Sequence, residues 1–163
     1  MADKYTEGFD AKPTKPLYLN GEKLRTVVAR AEIAAADDDG QIYVLARGVE
    51  LDWTLVNAML PKGFTAITAG TDYDLGLYKN TGTYDSPTWT AVDADVFLDG
   101  YDFSSGSSYA IDVATSATDE TIGELVSVTS ESAASEYAVV LTANTVGSAA
   151  VDLEFNLVFA GAH

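Results

Sequence analysis

Carboxylates are the one chemical group this 163-residue sequence offers in quantity, with 25 Asp and Glu against nine Lys and Arg. There is no Cys, and the single His is His163. Thiol nucleophiles, thiolate zinc sites and iron–sulfur clusters therefore fall away, and no internal imidazole is left for a Ser-His-Asp relay or a histidine-bound metal. Two carboxyl groups held roughly 5–9.5 Å apart in a cleft can hydrolyse a glycoside. Among 25 acids, however, some pair meets that spacing by chance. Asp52, Asp152 and Glu154 each fall on the polar side of an alternating segment, where solvation accounts for them. No catalytic residue and no cofactor site is assigned, and the chain is expected not to be an enzyme.

Calcium prefers oxygen ligands, and Asp93, Asp95, Asp99 and Asp102 place four carboxylates within ten residues. The EF-hand pattern fails on three counts. Phe97 stands at the fifth position, Leu98 replaces the glycine at the sixth, and Ser104 replaces the Glu at the twelfth. Asp37-Asp38-Asp39-Gly40 has equally the chemistry of a solvated hairpin tip, because Asp bonds its own backbone and Gly supplies positive φ. Turn chemistry and a structural calcium both fit these acids, and no metal ligand is assigned.

Aromatic side chains offer a second chemistry, stacking on sugars. Trp53 falls on the apolar side of its segment and reads as core; Tyr84, Trp89 and Tyr101 lie in or near loops and are the candidates for a ligand face.

The charge is unevenly placed. All nine bases lie within the first 79 residues, and from Asn80 onward there are 13 acids and no base. The first 30 residues carry six bases and four acids, a net +2, so the remainder carries -18. A mildly basic arm thus precedes a strongly acidic body. The acidity argues against a nucleic-acid partner, whose phosphates need Lys and Arg. No apolar run approaches the roughly 20 residues of a membrane span, and the opening MADKYTEGFD lacks the apolar core of a signal peptide. No membrane partner is expected.

These side chains must be positioned by strands. Residues 1–22, with Pro13, Pro16 and Gly21, read as an extended arm, and residues 23–163 as one domain. Val27, Ala29, Ala31 and Ile33 alternate with polar neighbours, as do Ile42, Val44 and Ala46. Val49, Leu51, Trp53 and Leu55 predict a third strand, and Pro61-Lys62-Gly63 a break before a Thr-rich piece over 64–69. Tyr73, Leu75 and Leu77 share one side of the next strand, followed by a loop from Asn80 to Pro87. Asp93 to Phe103 is the least strand-like stretch, and a short helical turn is expected there, with another brief turn between Asp119 and Val128 and a Ser/Ala loop at 130–136. The end reads as a hairpin: Tyr137, Val139 and Leu141, a turn at Asn144 to Ser148, then Val151 to Phe159 alternating over nine residues. Many short strands with Gly, Asp and Ser turns predict an all-β fold, a single β-sandwich or jelly-roll-like domain with an extended N-terminal arm.

Four pieces carry a family likeness: Leu60-Pro61-x-Gly63 with its Thr-rich strand, Asp74-Leu75-Gly76-Leu77, the acidic element from Asp93 to Asp102, and the closing Tyr137–Thr142 and Val151–Phe159 segments. In this layout the chain resembles small virion proteins of tailed bacteriophages, of the head decoration (cement, capsid-associated) type. The resemblance spans roughly residues 41–159. It implies a structural protein made in the bacterial host cytoplasm and located on the outer capsid surface. There it would bind the major capsid protein as a homo-oligomer and stabilise the shell. Lys4, Lys12 and Lys15 of the arm, with Arg25 and Arg30, are the capsid-contact candidates. The alternative is a carbohydrate- or receptor-binding sandwich of a virion fibre or tail, using Tyr84, Trp89 or Tyr101.

Overall fold

The computed structural model describes residues 4–5, 17–19, 22–59, 67, 70–104, 110–111, 120–128, 136–148 and 150–161. They form ten strands and one short helix: β1 (Lys4–Tyr5), β2 (Leu17–Leu19), β3 (Glu22–Ile33), β4 (Gln41–Arg47), β5 (Trp53–Met59), β6 (Asp72–Asn80), β7 (Trp89–Tyr101), β8 (Ala110–Ile111), α1 (Ile122–Leu125), β9 (Tyr137–Thr145) and β10 (Val151–Gly161). Two five-stranded sheets pack face to face as an all-β sandwich. The first has the order β1-β4-β9-β6-β7 and the second β2-β3-β10-β5-β8. Every pairing is antiparallel except β1 with β4.

Alternation decides which side chains enter the space between the sheets. β3 sends in Ala29, Ala31 and Ile33, and β10 sends in Leu153, Phe155, Leu157 and Phe159, all buried. They meet Tyr43 and Leu45 of β4, Tyr73, Leu75 and Leu77 of β6, and Val139 and Leu141 of β9. Each large apolar side chain buried this way contributes ~1.5–3 kcal/mol. Trp53 is in this core as expected, tilted against Phe159 at 5.8 Å between ring centroids.

The closing hairpin does not form. β9 pairs with β4 and β6 in the first sheet, whereas β10 pairs with β3 and β5 in the second, so the turn after Thr145 is an arch between sheets. The same holds for Asp37 to Gly40, which crosses from β3 to β4 rather than capping a hairpin. Alternation reports which way a side chain points, not which strand lies beside it.

Asp93 to Phe103 is also different from its expected helical turn, since β7 runs through Tyr101 as a strand. Its period is broken because the five-residue step from Asp93 to Leu98 lies opposite the two-residue step from Leu77 to Leu75. The extra residues bulge, and the alternation that marks a strand is lost. Trp89 and Tyr101 are therefore the first and last residues of a strand rather than loop residues. The third strand begins at Trp53; Val49 and Leu51 are buried in the turn that precedes it, after Gly48 at φ 65°. α1 supplies the brief turn expected near residues 119–128. The break at 60–63, most of the Thr-rich piece and most of the Ser/Ala loop lie outside the described residues.

Candidate functional site

Three places bring together groups that could act, and the first is the pair of arches. The Asp37 carboxylate accepts from the Ala34 amide at 2.8 Å and from the Tyr43 hydroxyl at 2.8 Å. The Asp39 carboxylate accepts from the Val146 amide at 3.1 Å across to the other arch, and the Tyr73 hydroxyl donates to the Val146 carbonyl at 2.7 Å. Asp37 and Asp39 are thus fasteners between arches. Burial, reinforced by Asp37, pushes the Tyr43 hydroxyl well above the ordinary tyrosine range. Burial, with the Asp37 and Asp39 charges, pushes Tyr73 up to about 12.

The other acids are similarly committed. Asp74 accepts from the Gly100 amide at 2.8 Å and from Asn144 Nδ2 at 2.5 Å. Asp102 binds the Ser104 amide, which lowers its pKa. Asp95 is held above the usual carboxylate range chiefly by a hydrogen bond with the Asp93 carboxyl. Among the described residues no group of three or more His, Cys, Asp or Glu is arranged to hold a metal ion.

The second place is a cavity of about 450 Å³ where the turn before β5 meets α1, lined by Glu50, Asp52, Thr121 and Glu124 with Leu51, Gly123 and Val128. The Gly123 amide donates to the Leu51 carbonyl at 2.7 Å and fixes the helix there. Glu124 is occupied by a capping box: its carboxylate accepts from the Thr121 amide at 2.8 Å, while Thr121 Oγ1 accepts from the Glu124 amide at 3.3 Å. Those hydrogen bonds lower the Glu124 pKa. The cavity has no nucleophile–base pair, so its charged groups suit a cationic guest better than acid–base chemistry. The Thr121-x-x-Glu124 spacing is the one sequence signal that marks this corner.

The third place is the outer face of the first sheet. Val44, Tyr78, Trp89, Ala138 and Val140 form a second buried apolar cluster there, joined by Ile42 and Ala94. The Arg47 guanidinium lies 5.5 Å from the Trp89 ring centroid and 4.9 Å from that of Tyr84. Glu136 clasps it with two hydrogen bonds, 2.5 Å at Nε and 2.8 Å at Nη2, and also accepts from Asn80 Nδ2 at 3.1 Å. Trp89 Nε1 is buried with no hydrogen-bond partner. Of the three aromatic candidates, the structure joins Tyr84 and Trp89 through Arg47. It puts Tyr101 at the far end of β7, packed on Phe103 at 4.7 Å between centroids. Tyr84 is 75% exposed, whereas Trp89 is buried. Arg47 and Glu136, which hold this platform, carry no motif that singles them out in the sequence.

The basic candidates are spread along one margin of the sandwich. Lys4 is in β1, on the edge of the first sheet, and Lys12 and Lys15 lie outside the described residues. Arg25 stands 4.4 Å over the Trp53 ring, and Arg30 pairs with Asp152 of β10 across the outer face of the second sheet. Among the described residues no helix is long and apolar enough to cross a membrane. No known protein family, curated protein or solved structure matches the chain.

Proposed function

We propose that this chain is a non-enzymatic structural protein of a tailed phage, which decorates the outer capsid surface and stabilises it by binding the major capsid protein. The observation that carries this reading is the charge division: a net +2 over the first 30 residues against -18 over the rest. The basic segment would contact the shell through Lys4, Lys12 and Lys15, with Arg25 and Arg30 beside it, while the acidic sandwich stands in solvent. Supporting it are the resemblance in segment layout and the commitment of Asp37, Asp39, Asp74 and Glu124 to holding the backbone. Deleting residues 1–20 should abolish co-sedimentation with capsids while far-ultraviolet circular dichroism keeps its β signature. A truncated chain that folds and still decorates overturns the assignment.

The exposure of Tyr84 next to Arg47 favours one second reading, a carbohydrate- or receptor-binding module of a virion fibre or tail. A glycan array probed with the intact chain and with Tyr84→Ala separates the two, since only a sugar-binding face gives hits that the variant loses.

A further inference from the structure

The first sheet has two margins of different construction. On the far side β7 is bulged and carries Asp93, Asp95 and Asp99, features that discourage another strand from pairing with it. On the near side lies β4, Gln41–Arg47, whose five residues between Gln41 and Arg47 are Ile, Tyr, Val, Leu and Ala, with no charge and no proline. β-branched and aromatic residues of this kind favour pairing. Its outward side is met by β1 alone among the described residues, through Lys4 opposite Tyr43 and Tyr5 opposite Val44. Five of its seven positions have no strand partner on that side.

β1 belongs to the segment whose other described piece, β2, lies on the edge of the second sheet against β3. The chain between them is residues 6–16. Fully extended, that length reaches roughly 40 Å, whereas packed sheets stand only ~10 Å apart. The tether therefore has several times the reach needed to return to its own sheet. A two-residue ladder sets few hydrogen bonds against the entropy of ordering the segment, so attachment at home is weak.

We infer that β1 is an exchangeable strand: the Lys4–Tyr5 segment of one copy pairs with the β4 edge of a second copy of this chain. Every copy carries both donor and acceptor, and the parallel register is the one the chain already forms with itself. Charge favours the crossing, because the donor segment is slightly basic and the accepting body is strongly acidic. Reciprocal exchange covers more of the bare edge and links copies without any new fold. The inference stands apart from the capsid reading, since both partners are this chain.

The absence of Cys in the sequence makes a clean test possible. Full-length Tyr5→Cys and Val44→Cys chains are purified separately, mixed and mildly oxidised. Exchange yields a covalent dimer with one copy of each, absent when either variant is oxidised alone. If the mixture stays monomeric while the double variant Tyr5→Cys/Val44→Cys closes within one chain, the strand stays at home and the inference is wrong. Sedimentation velocity of the unmodified chain covers the case in which Val44→Cys fails to fold. A concentration-dependent dimer that reverts to monomer on deletion of residues 1–8 supports exchange, and a chain that is monomeric throughout overturns it.

Discussion

On the outer face of the first sheet, Val44, Tyr78, Trp89, Ala138 and Val140 are buried; on that of the second, Val28 and Val56 remain 49% and 45% exposed. Both faces belong to strands that bury their other side in the same core. β4, β6 and β9 are apolar on both faces and behave as interior strands. β3 and β10 keep Glu32, Arg30, Asp152 and Glu154 on one face. The sandwich is therefore lopsided, with a wall sealed on both sides opposite a wall wet on one. Sealing the first wall has costs: Trp89 Nε1 is buried without a partner, and Arg47 is drawn beneath Tyr84 and locked to Glu136.

The largest test of this asymmetry is truncation on each face. Trp89→Ala removes a buried ring and should cost ~3–5 kcal/mol of unfolding free energy. Val28→Ala on the other sheet should cost no more than about 0.5 kcal/mol. Urea titrations of both variants measure the ratio, and equal costs would mean that the first sheet's outer face is not sealed.

Gly76 tests the same seal by addition. A Cβ there would lie 2.2 Å from the Ala94 carbonyl oxygen and 2.4 Å from that of Asp93, because the β7 bulge lies directly on it. The obstacles are backbone, which cannot rotate aside, so Gly76→Ala should cost about 3 kcal/mol. A drop in urea midpoint as small as that of Val28→Ala would show that the bulge moves freely.

The same bulge shows what could and could not be read in advance. β3 and β10 were legible because each has a single dry face, so their period of two survives: Ala29, Ala31 and Ile33, then Leu153 to Phe159. β7 was not, because its extra residues shift the phase between Asp93 and Leu98. The arches were misread as hairpins for a different reason, since pairing is set by packing across the whole molecule while alternation is local. Trp53 was correctly placed in the core by its strand phase. Trp89, at the mouth of a loop rich in Thr, Ser, Gly and Pro, gave no phase to use. The Arg47–Glu136 clasp joins residues 89 positions apart and left no local trace.

Alkaline pH should act through the first sheet. Tyr73 has its pKa raised from the ordinary 10.0 to about 12, and Tyr43 and Tyr78 are shifted in the same direction, burial being the main cause for each. The unfolded chain ionises these hydroxyls near pH 10 while the folded chain resists. Their stabilising contribution is therefore complete below pH 10 and is lost as pH rises towards and through 12. For Tyr73 the loss is on the order of 2–3 kcal/mol. β3, β5 and β10 contain no tyrosine, so the second sheet adds nothing from these strands. The melting temperature should fall steeply from pH 10 to pH 12, and Tyr43→Phe/Tyr73→Phe should be less stable at neutral pH yet much flatter in that range. An unchanged slope would place the alkaline transition elsewhere.

The smallest effect separates two ion pairs, one on each sheet. Arg47 and Glu136 have side chains 10% and 20% exposed, with two parallel hydrogen bonds and aromatic rings on the guanidinium. Arg30 and Asp152 are 39% and 52% exposed, held across one strand pair. Charge-assisted hydrogen bonds shielded from water keep their strength, so a double-mutant cycle to Ala should give the first pair a coupling of about 1–2 kcal/mol. The second should give less than about 0.5 kcal/mol, because water screens it and its long side chains lose entropy on pairing. Salt sharpens the distinction: in molar salt the screening length falls to about 3 Å. The Arg30–Asp152 coupling should then vanish while the Arg47–Glu136 coupling persists. If both couplings fall together, Arg47 is as wet as Arg30, and the sealed wall owes nothing to its clasp.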